Sequence, residues 1–379
     1  MPSHNIIIST QNYPPAAGGI QNYMHELASA LHQLGHTVRV ICDAPSADGQ
    51  TEFDKNLAFP VERLGGPKVL RRYRKARLLQ SQLAEVEHGI LICDSWKSLE
   101  LVNTDKLPHI CCICIAHGME FPAQLQPKKQ QRITKTLSRA ELLLANSEFT
   151  AQRATPYAPD LSRVHVLHPG VTQPIKPSAN DLAAAKDWCG QNTPTLITVG
   201  RLEARKGQDK IIAALPKLLE EHPKLSYLIV GSGPIQDELT ASAMALGVRD
   251  NVKFCGRVSD GERSALLQTA DLFVMPCRAV GDSVEGFGIV YIEAAMLGLP
   301  SLAGHAGGAG DAVIDGHTGT LCDGESDKEI YLSIKKMLSN SEELKAMGRR
   351  AQHRAETELQ WQQVATKLLN YATKKPLGV

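Results

Sequence analysis

The sequence predicts an α/β protein built from two successive doubly wound units. Short apolar, β-rich runs alternate with helical stretches, as in parallel sheets covered by helices. The alternation breaks once, at the Pro-rich segment HPGVTQPIKPSAND (168–181), and then restarts. A chain of 379 residues with 43% hydrophobic and 21% charged residues can supply the two cores this requires.

NIIIS (5–9) reads as the first strand and leads into a polar loop ending in Gly18-Gly19. Ile20, Tyr23, Leu27, Leu31 and Leu34 then recur at helical spacing until Gly35, a fitting stop. HTVRVICD (36–43), GILICD (89–94), HICCICIAHG (109–118), ELLLANS (141–147) and RVHVLHPG (163–170) continue the strand series. After the linker come PTLITVG (194–200), LSYLIVGSG (225–233), NVKFCG (251–256), DLFVMP (271–276) and LPSLAG (299–304). The helical run from about Asp327 to Tyr371 is long enough for more than one helix. Two such units should leave a cleft between them, with ligands beyond the carboxyl ends of the strands.

Lys+Arg 41 against Asp+Glu 40 gives a net charge of +1, so bulk charge does not point to nucleic acid. Residues 1–176 carry 19 basic and 15 acidic residues, the remainder 22 and 25, so the first half is the more suited to an anionic partner. No apolar run approaches the ~18 residues of a membrane span, and MPSHNIIIST lacks the features of a signal peptide. The nine cysteines lack paired metal-ligand spacings and read as core thiols of a cytoplasmic protein. The segment KVLRRYRKARLL (68–79) holds six basic residues between Lys68 and Arg77, with Val69, Tyr73, Ala76 and Leu79 as a thin apolar stripe. Most such runs are solvated faces; a minority dock on anionic membranes, here through Arg71, Arg72, Arg74 and Lys75.

Gly18-Gly19 precedes a helix, where backbone N–H groups can meet a phosphate or a sugar hydroxyl. Asp43 imitates the ribose-binding acid of a dinucleotide fold, but no full G-x-G-x-x-G is present, here or at Gly231-Ser232-Gly233. NAD binding is disfavoured. GRLEARKGQD (200–209) places Arg201 and Lys206 on a glycine-bounded loop after a strand, suited to a diphosphate or equally to a solvated charged loop. In EGFGIVYIEAAMLGLP (285–300), Glu293 lies in the first turns of an apolar helix, and a buried carboxylate needs partners such as sugar hydroxyls. The competing reading is a helix-start residue complementing the dipole, but the surrounding helix is apolar enough to be buried. His117, in the turn AHGME, reads on its own as a satisfied turn histidine.

Together these stretches resemble the GT-B retaining glycosyltransferases of family 4. The likeness rests on the Gly-Gly loop, HG (117–118), ANS (145–147), HPGV (168–171), VGRLEARKG (199–207), VGSGP (230–234), FCGRV (254–258), E-x7-E (285–293) and GGAGDAVIDGHTG (307–319). MPCRAVGDSVEGFGIVYIEA is most similar to the bacterial phosphatidylinositol mannoside mannosyltransferases. One departure is Gly310-Asp311, where relatives often read Pro-Glu.

The resemblance implies two Rossmann-like domains facing each other across a cleft: residues 1–172 on the acceptor side and 173–355 on the donor side. A C-terminal helix, 356–379, would pack back on the first. It implies that Arg201 and Lys206 grip the donor diphosphate and that Glu293 accepts the ribose hydroxyls. Glu285 would orient the transferred sugar, while Phe287, Gly288 and Ile289 offer backbone N–H groups to sugar and phosphate. Arg257 and Val258 would line the nucleobase pocket. Gly19 would approach the diphosphate, and His117 the sugar near its reacting carbon. The implied donor is GDP-mannose or, as the rival, a UDP-hexose; the acceptor is a lipid, glycan or small-molecule hydroxyl. No D-x-D motif is present, so cations and a helix N-terminus are expected in place of a metal, with no cofactor. A non-catalytic nucleotide-sugar-binding module is the alternative, disfavoured by the intact Arg201, Lys206, Glu285 and Glu293. The implied location is the cytoplasm, with peripheral contact at the inner face of the membrane.

Overall fold

Parallel strands covered on both faces have no solvent side, so they read as continuous apolar runs. The run ICCICIA, Ile110–Ala116, is such a strand and is buried along its whole length. The computed structural model describes residues 3–16, 18–44, 50–121, 124, 126–189 and 193–373. Met1 and Pro2, used above in judging a leader, and residues 374–379 of the C-terminal segment lie outside them. The chain divides into two compact units, residues 1–170 with 360–379, and residues 171–359.

The first unit holds β1 (Asn5–Thr10), β2 (Thr37–Asp43), β3 (Val61–Leu64), β4 (Gly89–Cys93), β5 (Ile110–Ala116), β6 (Leu142–Ala145) and β7 (Val164–Val166). They form a parallel sheet of order β3-β2-β1-β4-β5-β6-β7. Its helices begin with α1 (Gly19–Gln33), α2 (Gln50–Lys55) and α3 (Lys68–Ala84), followed by α4 (Trp96–Leu99), α5 (Pro127–Leu137) and α6 (Glu148–Ala154). One core layer joins α1 to a sheet face, through Tyr23, Leu27 and Leu31. The opposite face takes Leu79 and Leu83 of α3, Trp96 of α4 and Ile133 of α5.

The second unit contains β8 (Thr195–Val199), β9 (Ser226–Val230), β10 (Val252–Gly256), β11 (Leu272–Met275), β12 (Ser301–Gly304) and β13 (Gly319–Cys322). They pair in parallel in the order β10-β9-β8-β11-β12-β13. Covering them are α7 (Ala179–Cys189), α8 (Gln208–Glu221), α9 (Gln236–Ala245), α10 (Asp260–Thr269), α11 (Ile289–Met296), α12 (Ala309–Ala312), α13 (Asp327–Leu338) and α14 (Ser341–Glu358). The long helical run thus resolves into α13, α14 and α15 (Trp361–Thr373). The α13–α14 break falls where Asn340 caps α14, accepting from the Glu343 N–H at 3.1 Å. Leu368 and Leu369 of α15 belong to the core of the first unit. The two edge strands β3 and β13 escape the sequence reading. Each is four residues long, and VERL carries two charges on a half-exposed edge.

The strand order reverses between β1 and β4 in the first unit and between β8 and β11 in the second. Those are the switch points where open α/β sheets leave a crevice beyond the strand ends.

Helix α3 corrects the single-stripe expectation. Ala76 and Leu79 face the core, whereas Val69 and Tyr73 are exposed together with Leu70. Three of the four cations assigned to a membrane surface are engaged inside the unit. Lys75 is buried and donates to the Thr10 carbonyl at 2.8 Å and to Asp43 at 2.9 Å. Arg71 also pairs with Asp43 at 2.9 Å, and Arg72 with Glu100 at 2.5 Å. Asp43 is therefore neutralised by α3. Lys68, Arg74 and Arg77 remain exposed on this helix.

Candidate active site

In the second unit the loop after β8 carries Arg201, is anchored by fully buried Leu202, and closes through a short 3-10 turn, Ala204–Lys206, into α8. Gly231 and Gly233 explain its seating. A Cβ on Gly231 would lie 2.0 Å from the Gly200 carbonyl oxygen, and one on Gly233 2.3 Å from that of Leu202. The glycines that resemble a broken dinucleotide fingerprint let the loop after β9 press against the loop carrying Arg201.

The two proposed cations are in opposite states. The Arg201 side chain is 74% exposed and pairs with Glu203 at 3.0 Å. Lys206 is buried, and its ammonium meets the carboxylate of Glu285. Arg205 reaches the same Glu285 oxygen at 2.7 Å while also holding Glu203 at 3.0 Å. Arg205 is the cation the sequence reading overlooked. Burial alone would push the Glu285 carboxyl up; Lys206 and then Arg205 outweigh it and hold it below the usual carboxylate range. The loop bearing Glu285 is tied down where the Gly308 N–H donates to its carbonyl at 2.9 Å.

Beyond Glu285, Phe287 buries its ring in the core, and Gly288 turns the chain into α11 at a φ of 87°. A side chain there would be strained, and its Cβ would meet the Tyr291 ring at 2.5 Å. No side chain caps α11, so Gly288 and Ile289 begin a helix whose first N–H groups are available to an anion. Tyr291 fixes the helix by donating to the Met275 carbonyl at 2.5 Å. Glu293, one turn further, accepts no hydrogen bond from a described residue. Burial pushes its carboxyl above the usual range, opposed by Arg263 and reinforced by Asp260. Arg257 is exposed and donates to the Ser232 hydroxyl at 3.1 Å, while half-buried Val258 packs on the core.

The Glu293 carboxyl gives a signed prediction. Its folded-state pKa lies above that of the unfolded chain, so ionisation costs stability above the raised value and nothing below the ordinary carboxylate range. Glu293→Gln imitates the protonated form. It should raise Tm at about pH 8, with the gain vanishing near about pH 3. If Glu293 accepts ribose hydroxyls, the same variant should weaken donor binding about 10–10²-fold, as loss of a hydrogen bond to a charged group does. Thermal melts across pH and a donor titration check both.

In the first unit Gly19 opens α1, and no side chain caps that helix. His117 follows β5; its backbone N–H donates to Glu120 at 2.7 Å, and its buried Nε2 has no hydrogen-bond partner among the described residues. The imidazole meets the edge of the Tyr23 ring at 5.3 Å, and Tyr23 meets Trp361 of α15 at 5.0 Å. Sequence reasoning also passed over Asp94 at the end of β4. Buried there, it accepts from Thr10 Oγ1 (2.8 Å), the Gln11 N–H (2.8 Å), Ser95 Oγ (3.1 Å) and Ser98 Oγ (2.6 Å). It thereby fixes the start of the loop leading to Gly18-Gly19. The signal was a lone acid at a strand end, followed by serines at 95 and 98.

Lys206, Arg205 and Glu285 thus converge at the β8–β11 switch point of the second unit. Phe287, Gly288, Ile289 and Glu293 follow on one continuous stretch, and Arg257 lies past the end of β10, where it reaches Ser232 after β9. Gly19, the first residue of α1, and His117, just past β5, belong to the other unit. Among the described residues no three His, Cys, Asp or Glu side chains group to hold a metal ion.

The family descriptions "Glycosyltransferase Family 4" and "Glycosyl transferases group 1" match residues 17–172 and 189–354. The chain is 31% identical over 371 residues to a GDP-mannose-dependent alpha-(1-6)-phosphatidylinositol monomannoside mannosyltransferase of Mycolicibacterium smegmatis, covering 94% of this chain and 95% of that one. A Corynebacterium glutamicum mannosyltransferase for the monoacylated form of that lipid is 28% identical, with 99% of each chain covered. Among solved structures, Anabaena HepE in complex with UDP and glucose superposes with a TM-score of 0.78 over 98% of this chain and all of that one, at 21% identity. That likeness speaks to the fold. The chain belongs to the family-4 glycosyltransferases and is a glycosyltransferase enzyme of GT-B fold.

Proposed function

We propose that this glycosyltransferase moves mannose from GDP-mannose to a hydroxyl of a glycolipid acceptor, with retention at the anomeric carbon. The near-full-length likeness to GDP-mannose-dependent phosphatidylinositol mannoside mannosyltransferases carries the choice of donor and acceptor. Arg201 and Lys206 take the donor diphosphate, and the N–H groups at Phe287, Gly288 and Ile289 add to that charge. Glu293 accepts the ribose hydroxyls, Arg257 and Val258 border the base, and Glu285 orients the mannose. Gly19 serves the diphosphate and His117 the sugar. The anomeric C–O bond to the β-phosphate breaks as the acceptor oxygen bonds to the same face of that carbon. The acceptor proton passes to the departing phosphate, leaving GDP. Glu285 positions and forms no covalent intermediate: Lys206 and Arg205 stabilise its charge and so weaken it as a nucleophile.

Titration with GDP and UDP, followed by a donor-hydrolysis screen, tests this reading. Tighter binding of GDP and hydrolysis of GDP-mannose are expected. Preference for UDP with hydrolysis of a UDP-hexose would replace the donor, and binding without transfer or hydrolysis would overturn the reading of the site.

A glycolipid acceptor places the enzyme at the cytoplasmic face of a membrane, consistent with nine free cysteines. No described helix is long and apolar enough to cross one. The docking face is the exposed start of α3, where Val69, Leu70 and Tyr73 sit among Lys68, Arg74 and Arg77. Each such cation contributes ~1 kcal/mol near an anionic surface, so Lys68→Gln/Arg74→Gln/Arg77→Gln should weaken binding to anionic liposomes about 10²-fold. Nucleotide affinity should be unchanged. Wild-type protein that ignores anionic liposomes at low salt would overturn the docking role.

A further inference from the structure

An open cavity of about 480 Å³ lies within the second unit, between α14 and the turn that joins α12 to β13. Ile314 and His317 of the turn line it, facing Arg349, Arg350, His353 and Arg354 of α14. Spacings of one, three, four and five residues place these four side chains along one side of the helix. The other side of α14 buries Met347, Gly348, Ala351 and Ala355, so the cationic side is the one left open.

Two of the guanidinium groups form rigid walls. Arg350 donates to the His317 carbonyl at 2.7 Å and to Glu343 at 2.7 Å, which ties the turn to the helix. Arg354 donates to the carbonyls of Asp311 and Ala312, each at 2.7 Å, and lies 3.6 Å from Glu358. Arg349 and the rings of His317 and His353 take no partner among the described residues. Three carboxylates, Glu343, Glu358 and Asp311, therefore oppose three guanidinium groups and two imidazoles. Like charges at i,i+4, as in Arg350 and Arg354, disfavour an isolated helix. A bound anion would offset that repulsion.

We infer that this cavity is a second ligand site, separate from the donor site, that binds a soluble phosphate-bearing molecule the size of a sugar phosphate. Arg349 and His353 reach the phosphate, the fixed guanidinium groups of Arg350 and Arg354 supply the surrounding positive field, and Ile314 and Ala346 flank the body of the ligand. The volume falls within the ~300–1,000 Å³ of small-molecule sites. Planar guanidinium donors match phosphate oxygens in pairs.

Inorganic pyrophosphate is the probe, titrated calorimetrically at low salt. In Lys206→Ala, where the donor clamp is weakened, one pyrophosphate should remain bound, at the cavity. Adding Arg349→Gln and His353→Gln should weaken it about 10–10²-fold, as the loss of charge-assisted hydrogen bonds does. In the protein with Lys206 intact, the same two substitutions should reduce the stoichiometry from two to one, with Tm and basal turnover unchanged, since both side chains are exposed. A Lys206→Ala protein that binds no pyrophosphate, or equal binding with and without Arg349 and His353, would overturn the assignment. A wild-type stoichiometry of one that Arg349→Gln/His353→Gln abolishes would count against the donor clamp and keep the cavity.

Discussion

Lys206→Ala and Arg201→Ala should each reduce turnover about 10²–10³-fold, the loss typical when one donor to developing negative charge is removed. Charge grows on the diphosphate as the glycosidic bond breaks, so a cation that meets it favours the transition state over the bound donor. Arg201 offers a planar fork and is exposed; Lys206 offers a point charge and is buried against Glu285. The two losses should therefore differ in kind. Arg201→Ala removes a side chain that must be ordered by the ligand, so donor KM should rise along with the fall in kcat. Lys206→Ala removes a preorganised group, so the loss should fall mainly on kcat. EDTA should change neither wild type nor variants. Steady-state kinetics decide it, and near-wild-type turnover in either variant would contradict the clamp.

Glu285→Ala should destabilise the second unit by about 3 kcal/mol, the low end for breaking a buried ion pair. Lys206 and Arg205 both meet one oxygen of this carboxylate, and alanine leaves two cations facing each other without it. The sign with pH follows from the depressed Glu285 pKa. Its stabilisation is present above the unfolded-state value and is lost as pH falls through the lower folded-state value. The difference in stability between wild type and Glu285→Ala should therefore narrow in acid. Pyrophosphate or GDP should restore part of the loss, because the anion replaces the missing negative charge beside Lys206 and Arg205. Denaturant melts with and without pyrophosphate test this, and a Glu285→Ala protein as stable as wild type would contradict the ion-pair role.

The principal strands were legible because parallel strands buried on both faces leave apolar runs such as NIIIS and ICCICIA. Helix α1 was legible from its periodicity and from Gly35, whose φ of 88° suits a helix stop. β3 and β13 were not, because a four-residue edge strand is defined by its neighbour's hydrogen bonds more than by its own composition. In the site, the stretch from Glu285 to Glu293 stood out as two acids flanking a glycine turn and an apolar helix. Arg205 was hidden because a cation between two better-spaced cations has no sequence signature; only the fold turns it toward Glu285. Asp94 was hidden for the same reason, two of its four donors coming from the distant segment Thr10–Gln11. The basic run on α3 was legible only in part, because a count of charges does not show that Asp43 and Glu100 engage three of them.

The diphosphate clamp is tested most directly by comparing GDP with GMP calorimetrically, in EDTA, on wild type and Lys206→Ala. The account predicts that wild type binds GDP at least about tenfold more tightly than GMP, one charge-assisted contact being worth that much. In Lys206→Ala that preference should collapse while GMP affinity stays unchanged. Equal discrimination in the two proteins, or a GDP preference in wild type that disappears on adding EDTA, would contradict it.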